Sequence, residues 1–414
     1  MGKRPLDLID VEESENDTKK IKGHIVSGPE AGRSPYSNEE YTIGWVPTDS
    51  IDMAAAKGML DEEHGDPQTP PQEADHNAYL LVSMRRFRVV IACLPKDELG
   101  ASSAAAVARA ILFTFPNIRV GLTVGVGAGI PYYDDNETRD IRLGDVVIGS
   151  DRGSSGAIVY DFGKWLPDGS FKNMYALDRP PRPLRTTLAR MEAEHQTREN
   201  RICEYIDGML LKYPHMRMKG FAHPGSPNDR LFREDYCHVG GRSCAGCDPS
   251  QQIHREDRLD TSPEIHYGIV ATGSAVVKDA PTREQIKQRH GAICLEMEAA
   301  GLINNFPCIV IRGISNYADS HKNDQWHAYA VATAAACAKK LLGFVQLTTL
   351  EAEPKGKDVL QILNNGKSRP LISSLYLSRD SNIAKVSHEV SQISTHLTHI
   401  KLLKKRTEML KRPG

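Results

Sequence analysis

The sequence predicts an α/β protein built around a largely parallel or mixed sheet, and two observations carry that prediction. Short apolar runs rich in Val and Ile alternate with Ala-rich helical patterns between Tyr41 and about Phe344. Apolar runs without polar alternation are typical of strands that helices cover on both faces. At 414 residues, of which 40% are hydrophobic, the chain is long enough for one large domain with appendages or for two modest ones.

The predicted elements follow one another in a regular order. In the first half they are a strand YTIGWVP, a helix SIDMAAAKGMLDEEH, a strand RFRVVIACLP, a helix GASSAAAVARAILFTF, a strand IRVGLTVGVGAGIP that runs into a glycine turn, and a strand IRLGDVVIGS. In the second half they are a strand HYGIVATGSAVV, a helix CLEMEAAGLINNF, a strand CIVIRGIS and a helix YAVATAAACAKKLLGF. Residues 185–265 are richer in charge, Pro and Gly, and we expect them to form an insertion in the same domain.

Both flanks of this domain, which spans residues 41–345, differ from it in pattern. Residues 1–40 are polar and charged without a period, which is typical of a disordered tail. Residues 346–414 form a C-terminal extension in which apolar residues step by three and four, predicting an amphipathic helix over about 381–410. That pattern covers fewer than three heptads, so a helix packed on the domain and a coiled coil both remain open.

Composition and charge limit the partners and the compartment. The net charge of −1 argues against nucleic acid or an anionic membrane as the main partner. The chain has no apolar run long enough to cross a bilayer and no apolar signal core at its start, so we expect a cytoplasmic protein. The basic pairs Lys3–Arg4 and Lys19–Lys20 have the spacing of a two-part nuclear signal, although chance clustering explains them equally well.

The eight cysteines indicate a reducing compartment and raise one question about metal. Several of them lie in apolar runs, where buried free thiols are the rule. In the segment YCHVGGRSCAGCDPS, four potential ligands lie close together: Cys237, His238, Cys244 and Cys247. Zinc needs four such ligands in tetrahedral reach, and a single C-x-x-C in a loop is only suggestive. The sequence leaves this question open, and we assign no metal ligands from it.

Three separate segments carry the residues that point to chemistry. GVGAGIP, Gly125 to Pro131, is rich in glycines that allow a ligand to approach the main chain, but no Walker-type Gly-Lys-Ser/Thr follows it. CLEMEAAG places Glu296 and Glu298 two residues apart at a strand-to-helix junction, where a carboxylate can accept bonds from both hydroxyls of a ribose. Taken alone, two such glutamates are more often surface residues favoured by a helix dipole.

The third segment, RGISNYADSHKND, follows an apolar run and contains Ser315, Asn316 and Asp319. Open α/β sheets bind ligands at the carboxyl ends of their strands, so the three segments are expected to meet there. Together, the order GVGAG, DIRLGDVV, IVATGSAVV, EMEAAG and RGISN resembles the nucleoside phosphorylase-I superfamily of purine nucleoside and uridine phosphorylases and methylthioadenosine/S-adenosylhomocysteine nucleosidases.

The resemblance covers roughly residues 41–345 and is strongest to a fungal branch that heads NLR-like immune receptors or stands alone. The segments MLDEEH, YDFGK, IHYG, EMEAAGL and DSHKN are the features of that branch. Its members are known to cleave adenine from adenosine nucleotides, including ATP. The resemblance implies a single three-layer α/β/α domain with a central mixed sheet, a homo-oligomer, an adenine nucleotide as substrate, and no metal or organic cofactor.

The resemblance also implies roles for individual residues on the sugar side. Glu298 is expected to clamp the ribose 2′ and 3′ hydroxyls, with Met297 under the sugar, and Glu296 is expected to contact the substrate. The main chain of Gly127 and Ala128 is expected to line the ribose and the base.

Further roles are implied at the base and at the attacking water. Val276 and Val277 fall where the family holds the base, and Ser315 is expected to contact the substrate. Asp52 takes the place of the glutamate that orients the attacking water in hydrolytic members. It is one methylene shorter than that glutamate, and an alternative is that it faces solvent early in its helix.

The choice between water and phosphate as nucleophile depends on the anion pocket. Phosphorylases of this superfamily that are similar to the bacterial enzyme hold phosphate with an arginine and a serine on the strand entering the glycine turn. This sequence has Thr123 and Val126 there, and Arg119 lies four residues upstream. Because an oxyanion without charge-assisted partners is poorly held, the sequence favours water.

Asn316 occupies the position where the family has an aspartic acid that protonates the leaving base. An amide can donate a hydrogen bond but has no proton to transfer, and general acid catalysis contributes roughly 10²- to 10⁴-fold. Three interpretations stay open. The amide is an inactivating substitution, or Asp319 or water supplies the proton, or the protein only senses nucleotides.

The sequence therefore predicts a nucleosidase that converts ATP to adenine and ribose 5-triphosphate. Phosphorolysis and cleavage of adenosine or methylthioadenosine are the enzymatic alternatives, and a non-catalytic nucleotide-sensing immune module is the alternative of another class. Basic residues that flank the matched loops could hold phosphates, and none of them is singled out: Arg152, Lys164, Lys278, Arg283 and Lys322.

Overall fold

The computed structural model describes residues 32–133, 138–151, 155–174 and 177–364, so the helix predicted over about 381–410, the basic pairs near the N-terminus and Arg152 lie outside the described residues. The strands are Ile43–Val46 (β1), Glu62–Glu63 (β2), Tyr79–Met84 (β3), Phe87–Ala92 (β4), Val120–Gly129 (β5), Tyr132–Tyr133 (β6), Thr138–Arg139 (β7), Val146–Gly149 (β8), Ala157–Val159 (β9), Gly163–Trp165 (β10), Phe171–Asn173 (β11), Ile265–Thr272 (β12), Ala292–Glu296 (β13) and Cys308–Asn316 (β14). The helices are Ser50–Met59 (α1), Ala101–Thr114 (α2), Arg182–His195 (α3), Ile202–Lys212 (α4), His215–Met218 (α5), Ala280–His290 (α6), Ala299–Leu302 (α7), His327–Phe344 (α8), Leu347–Glu351 (α9) and Gly356–Asn364 (α10).

One mixed sheet organises the described part of the chain. Its strand order is β13-β12-β8-β14-β5-β1-β4-β3-β2, with β9 paired to β12. The central pairs β14–β5, β5–β1 and β1–β4 are parallel, whereas β14–β8 and β3–β4 are antiparallel. Strand β13 pairs with β12 and also with β5, so the five strands from β13 to β5 close into a ring.

Helices cover both faces of the sheet and bury two large apolar clusters. On one face, α8 packs against β14, β5 and α1, and its buried residues include most of its alanines. On the other face, α2 packs against β1, β4 and α7. This arrangement confirms the predicted three-layer α/β/α domain with a central mixed sheet. No single helix of the described residues is long and apolar enough to cross a membrane, although the bent pair of α8 with residues 347–361 passes by length and composition alone.

The glycine-rich segment is strand and not the turn that the sequence predicts. Strand β5 continues to Gly129, and none of its glycines has a positive φ. Their role is close packing. A Cβ on Gly127 would lie 2.4 Å from Cys294 Sγ, and one on Gly129 would lie 2.8 Å from Ile314 Cγ2. The closed ring of strands brings β13 and β14 against this strand, and that long-range packing overrides the local glycine signal.

Two other predicted elements have different bounds. The segment CLEMEAAGLINNF is predicted as one helix, but β13 continues to Glu296 and α7 has only four residues. The first predicted helix ends at Met59, and Glu62–Glu63 forms a short edge strand against β3. In both cases sheet pairing decides the conformation of residues that have helical propensity.

The segments that adjoin the core strands pack on the domain more extensively than the sequence predicts. Residues 32–40 belong to the predicted disordered tail, yet Ser34 and Asn38 are buried, and Ser34 Oγ lies 2.8 Å from Tyr41 Oη. Within residues 185–265, α3 and α4 contribute to the same core cluster as α8, whereas the part after α5 forms loops and short turns. The beginning of the extension also packs on the domain, because Leu350 and Leu360 are buried.

Candidate active site

The carboxyl end of β1 brings the first acidic residue into the site. The chain leaves β1 through Thr48, and Asp49 caps α1 by accepting from the N–H groups of Ile51 and Asp52 at 2.7 and 2.9 Å. Asp52 then lies in the first turn of α1, where its Oδ2 accepts from Thr48 N–H at 3.1 Å. Its side chain is buried, so the alternative that it faces solvent is wrong.

Arg312 of β14 is at the centre of the site. Its side chain is fully buried, its Nη2 donates to Thr123 Oγ1 at 3.0 Å and to Glu296 Oε2, and Nη2 lies 3.7 Å from Glu298 Oε2. Gly125 makes room for this contact, because a Cβ there would lie 2.7 Å from both Arg312 Nη1 and Asp52 Oδ2. Three carboxylates therefore surround one guanidinium group.

Glu296 is fixed by the start of α7. Its Oε2 accepts from the N–H groups of Glu298 and Ala299, both at 3.0 Å, as well as from Arg312. The predicted substrate contact for Glu296 is therefore corrected to a positioning role, since its acceptors already hold Arg312 and the turn that carries Glu298. Glu298 itself keeps its carboxylate for a ligand.

Two carboxyl groups in the site have raised pKa values. Burial, and next the neighbouring Asp49, raise the pKa of Asp52, while His327 and Arg312 partly oppose the rise. Burial, and next Glu296, raise the pKa of Glu298. Elevated pKa values of this kind are typical of acid–base residues in active sites.

His327 also belongs to this group of residues, although no motif predicts it. It is the first residue of α8, and its Nε2 lies 3.5 Å from Asp49 Oδ2 and 3.9 Å from Asp52 Oδ1. Hydrogen bonding to Asp49 and the charge of Asp52 outweigh burial and raise the pKa of His327. Among the described residues, Asp52 Oδ1 and Arg312 Nη1 are buried and have no hydrogen-bond partner.

Asn316 lies on the same two strands, further along. It pairs with Ala128, whereas Arg312 pairs with Gly125, so three strand residues, or about 10 Å, separate the two levels. Asn316 Oδ1 accepts from Ala318 N–H at 3.0 Å, and Nδ2 donates to Ser315 Oγ at 3.0 Å. These contacts fix the orientation of the amide and leave one N–H to donate.

A cavity of about 180 Å³ lies beside the amide. It is smaller than the roughly 300–1,000 Å³ of typical ligand pockets. Its lining includes Asn316, Ser315, Asp319, His321, Arg230 and Cys244.

Two groups of described residues bring metal-ligating atoms close to one another. Asp49, Asp52 and His327 form one group within the site. His238, Cys244 and Cys247 form the other, at the edge of the cavity that Asn316 lines.

Comparison with known proteins gives the family. Residues 223–348 match the family model of the phosphorylase superfamily. A nucleotide-binding leucine-rich repeat (NLR)-like protein from Hyaloscypha variabilis is 37% identical over 320 residues, which are 77% of this chain and 31% of that protein. The family-model match assigns residues 223–348 of the chain to the phosphorylase superfamily.

Two further similarities are more limited. The ATP nucleosidase Cap17 from Escherichia coli is 33% identical over 77 residues, 17% of this chain and 15% of that protein. The chain thus spans less than a third of the length of either relative. A 5′-methylthioadenosine/S-adenosylhomocysteine nucleosidase from Neisseria meningitidis has a TM-score of 0.46 and 13% identity, over 73% of this chain and 98% of that chain.

The residues that the resemblance assigns to the substrate fall into two groups according to where they lie in the structure. The buried strand ends bring Gly127, Ala128, Ser315, Asn316 and Glu298 to the same region, with Met297 half-buried beside them. Val276 and Val277 follow β12 and behave differently.

The two valines do not form one buried surface. Val276 is 49% exposed, whereas Val277 packs against the cluster that contains Ala128, Leu295 and Ala318. The prediction that both valines contact the base stays a prediction, and Val276 would have to do so from a half-exposed position.

Arg312 brings a positive charge to the place where an anion pocket would lie. Residues 123 and 126 carry no positive charge, but Arg312 on the neighbouring strand donates a hydrogen bond to Thr123. A guanidinium group is thus present, and the expectation that none lies behind the site is wrong. Because Glu296, Glu298 and Asp52 already surround it, its charge is compensated before any anion arrives.

Replacing Asp52 by Asn should remove part of the pH dependence of folding stability. The raised pKa means that the folded protein keeps a proton above about pH 4, where the unfolded chain loses it. The contribution of Asp52 to stability is therefore complete below about pH 4 and is lost as pH rises through the folded pKa. We expect the Asp52→Asn variant to be more stable than the parent at about pH 8, by of the order of 1 kcal/mol, and the difference to vanish near pH 4.

Urea unfolding at several pH values measures this difference. The matched control is Asp66→Asn, which changes an exposed carboxylate and should follow the parent curve. An Asp52→Asn curve parallel to the parent at every pH would contradict the assignment of a raised pKa.

Proposed function

We propose that the protein hydrolyses the N-glycosidic bond of an adenine nucleotide, with ATP as its substrate, and releases adenine and ribose 5-triphosphate. The observation that carries the proposal is the convergence of Asp52, Glu298 and Arg312 beside the glycine strand. Such a group can hold a water molecule and a ribose at once. The similarity to proteins described as an ATP nucleosidase and as an NLR-like protein supports the choice of substrate and a place in intracellular immunity.

The sugar side of the reaction uses the carboxylates. Glu298 accepts hydrogen bonds from the ribose 2′ and 3′ hydroxyls and stabilises the positive charge that develops on the sugar. Asp52, whose Oδ1 has no partner among the described residues, accepts a proton from the attacking water. Its raised pKa suits a group that takes up a proton near neutral pH.

The carboxylates around Arg312 favour water over phosphate as the nucleophile. A phosphate at Arg312 would meet the carboxylates of Glu296, Glu298 and Asp52 within the same buried space. Like charges in a low-dielectric site repel strongly. A neutral water molecule carries no such penalty and can both donate to Asp52 and accept from Arg312 Nη1.

The base side depends on Asn316. Its free N–H can donate to N7 of adenine, but it transfers no proton, so the leaving group departs with less assistance than an aspartic acid would give. The Asp319 carboxylate lines the same cavity, yet its Oδ1 already accepts from His321 N–H at 2.9 Å and its Oδ2 lies 3.9 Å from Arg283 Nη1. We therefore propose that the reaction runs slowly in this chain and that substrate binding is retained.

The phosphates of the substrate are proposed to meet the N-terminus of α2. This helix begins beside the sugar site, because Gly301 of α7 packs on Ala101, and a Cβ on Gly100 would lie 3.9 Å from Met297 O. Within the described part of the chain no side chain caps α2, and free N–H groups at a helix start favour anions. Lys278 and Lys322 flank the segment assigned to the base instead, and burial, and next the charge of Lys278, lower the pKa of Lys322.

Incubating the full chain with ATP and separating the products by chromatography tests the reaction itself. We expect free adenine and ribose 5-triphosphate to form at a rate that does not change when inorganic phosphate is added. Adenine release that requires phosphate would replace hydrolysis by phosphorolysis. The absence of adenine from both this chain and the Asn316→Asp variant, with ATP bound in calorimetry, would favour a nucleotide sensor.

The Asn316→Asp variant should gain activity. One carboxylate oxygen can still accept from Ala318 N–H, and the other takes the place of Nδ2 beside Ser315 Oγ and can carry the proton. We expect kcat to rise by roughly 10²- to 10⁴-fold with little change in KM. The matched control Asn323→Asp alters a nearby amide outside this contact, and an equal gain in both variants would contradict the assignment.

The Ser102→Asp variant tests where the phosphates bind. Ser102 is exposed in the first turn of α2, where a carboxylate stabilises the helix. The same charge should repel phosphates, so we expect KM for ATP to rise by about tenfold while KM for adenosine stays unchanged. Ser102→Ala is the neutral control, and equal effects on both substrates would place the phosphates elsewhere.

A further inference from the structure

A cluster of cysteine and histidine side chains lies where the loop region after α5 meets the loop after β14. Cys244 begins a short 3₁₀ turn in which Cys247 N–H donates to Cys244 O at 3.1 Å. The ligand atoms of His238, Cys244 and Cys247 all lie within 4.8 Å of one another. Donor atoms around one tetrahedral zinc lie roughly 3.3 to 3.8 Å apart, given metal–ligand distances of about 2.0 to 2.3 Å.

His321 supplies a second and independent observation. It is more than nine-tenths buried, and neither of its ring nitrogens has a hydrogen-bond partner among the described residues. Its ring centroid lies 5.5 Å from that of His238, and Cys244 Sγ lies 3.9 Å from His321 O. A buried imidazole with two unpartnered nitrogens is costly unless something binds it.

The neighbours of His321 hold its ring as the neighbours of a metal ligand do. Phe232 stacks on the ring with centroids 4.0 Å apart and planes 14° apart. Asp319 Oδ1 lies 3.8 Å from His321 Nδ1. Metal-bound histidines commonly direct their second nitrogen to a carboxylate, which fixes the tautomer and leaves Nε2 for the metal.

The hydrogen bonds of His238 are also compatible with metal binding. Its Nε2 lies 3.2 Å from Ser243 O, which can only accept, so this nitrogen carries the proton. The lone pair is then on Nδ1, which now accepts from Gly240 N–H at 3.1 Å in an exposed loop. A metal can replace that exposed N–H, while the bond to Ser243 O holds the ring.

We propose that His238, Cys244, Cys247 and His321 bind one Zn²⁺ ion in a structural, tetrahedral site. The two thiols give the site its selectivity, because soft thiolate and imidazole ligands suit zinc.

The proposed zinc site links two parts of the chain beside Asn316. Cys244 and His321 both line the cavity that Asn316 lines, and His238 N–H donates to Ser320 Oγ at 2.9 Å. The metal therefore fastens the loop containing residues 238–247 to the loop that follows β14. This role is independent of the proposed reaction, since it requires neither ATP nor turnover.

Metal analysis of the full chain, produced with zinc in the medium, is the first test. We expect one zinc per chain in the parent and in Cys237→Ser, because Cys237 is exposed and outside the group. The Cys244→Ser/Cys247→Ser double variant should contain less than a tenth of that zinc, and His321→Ala should contain substantially less than the parent. Zinc-free parent protein, or equal loss of zinc in Cys237→Ser, would overturn the proposal.

Cobalt substitution of the parent protein keeps the proposal testable if the double variant fails to fold. Zinc removed by a chelator and replaced by Co²⁺ should give the intense visible absorption and thiolate charge-transfer band of a tetrahedral thiolate site. Zinc removal should also lower the Tm of the parent and of Cys237→Ser, and added Zn²⁺ should restore it. Spectra of octahedral cobalt, or a Tm that zinc removal leaves unchanged, would show that no structural site exists.

Discussion

The site depends on the pairing and hydrogen bonding that compensate the buried guanidinium group of Arg312. A charge without exposure to solvent is tolerated only when it is paired and hydrogen-bonded. Glu296 meets this requirement directly, and the same carboxylate holds the first turn of α7. The position of Glu298 thus follows from the need to compensate Arg312, and the strand, the short helix and the sugar-binding carboxylate form one unit.

This arrangement has an energetic cost that serves the proposed chemistry. Three carboxylates surround one guanidinium group beside His327, so they cannot all ionise without repulsion in a buried space. Burial, and next this repulsion, raise the pKa values of Asp52 and Glu298. Sites that store such unfavourable charge are typical of catalytic centres, where function is retained at the expense of stability.

The glycines of β5 make the arrangement possible. The ring closed by β13 and β14 brings side chains from both strands against β5, and at Gly125 the space is filled by Arg312 and Asp52. A side chain at that position would separate the acid from the guanidinium group. The glycine pattern is therefore a requirement of packing inside a closed ring, and the local conformation of these residues is ordinary strand.

The order of strands and helices could be predicted from the sequence, because apolar runs and Ala-rich periods are local signals that buried strands and helices must carry. The residues of the sugar site could be predicted in part. The motifs predict Asp52, Glu298 and Asn316 but neither Arg312 nor His327, since an arginine within an apolar strand and a histidine at the first position of a helix have no distinctive spacing. Val276, which the resemblance assigns to the base, is 49% exposed.

The sequence by itself determined the class of fold, the central strands and the acidic residues available to the site, because these follow from periodicity and residue type. Only the tertiary structure decided that β13 turns back onto β5, that Glu296 caps α7, and that Arg312 lies among the acids. It also brought His321 to within 5.5 Å of His238, ring to ring, across 83 residues of sequence. Such contacts depend on how distant strands pair, and strand pairing leaves no mark in a local stretch of sequence.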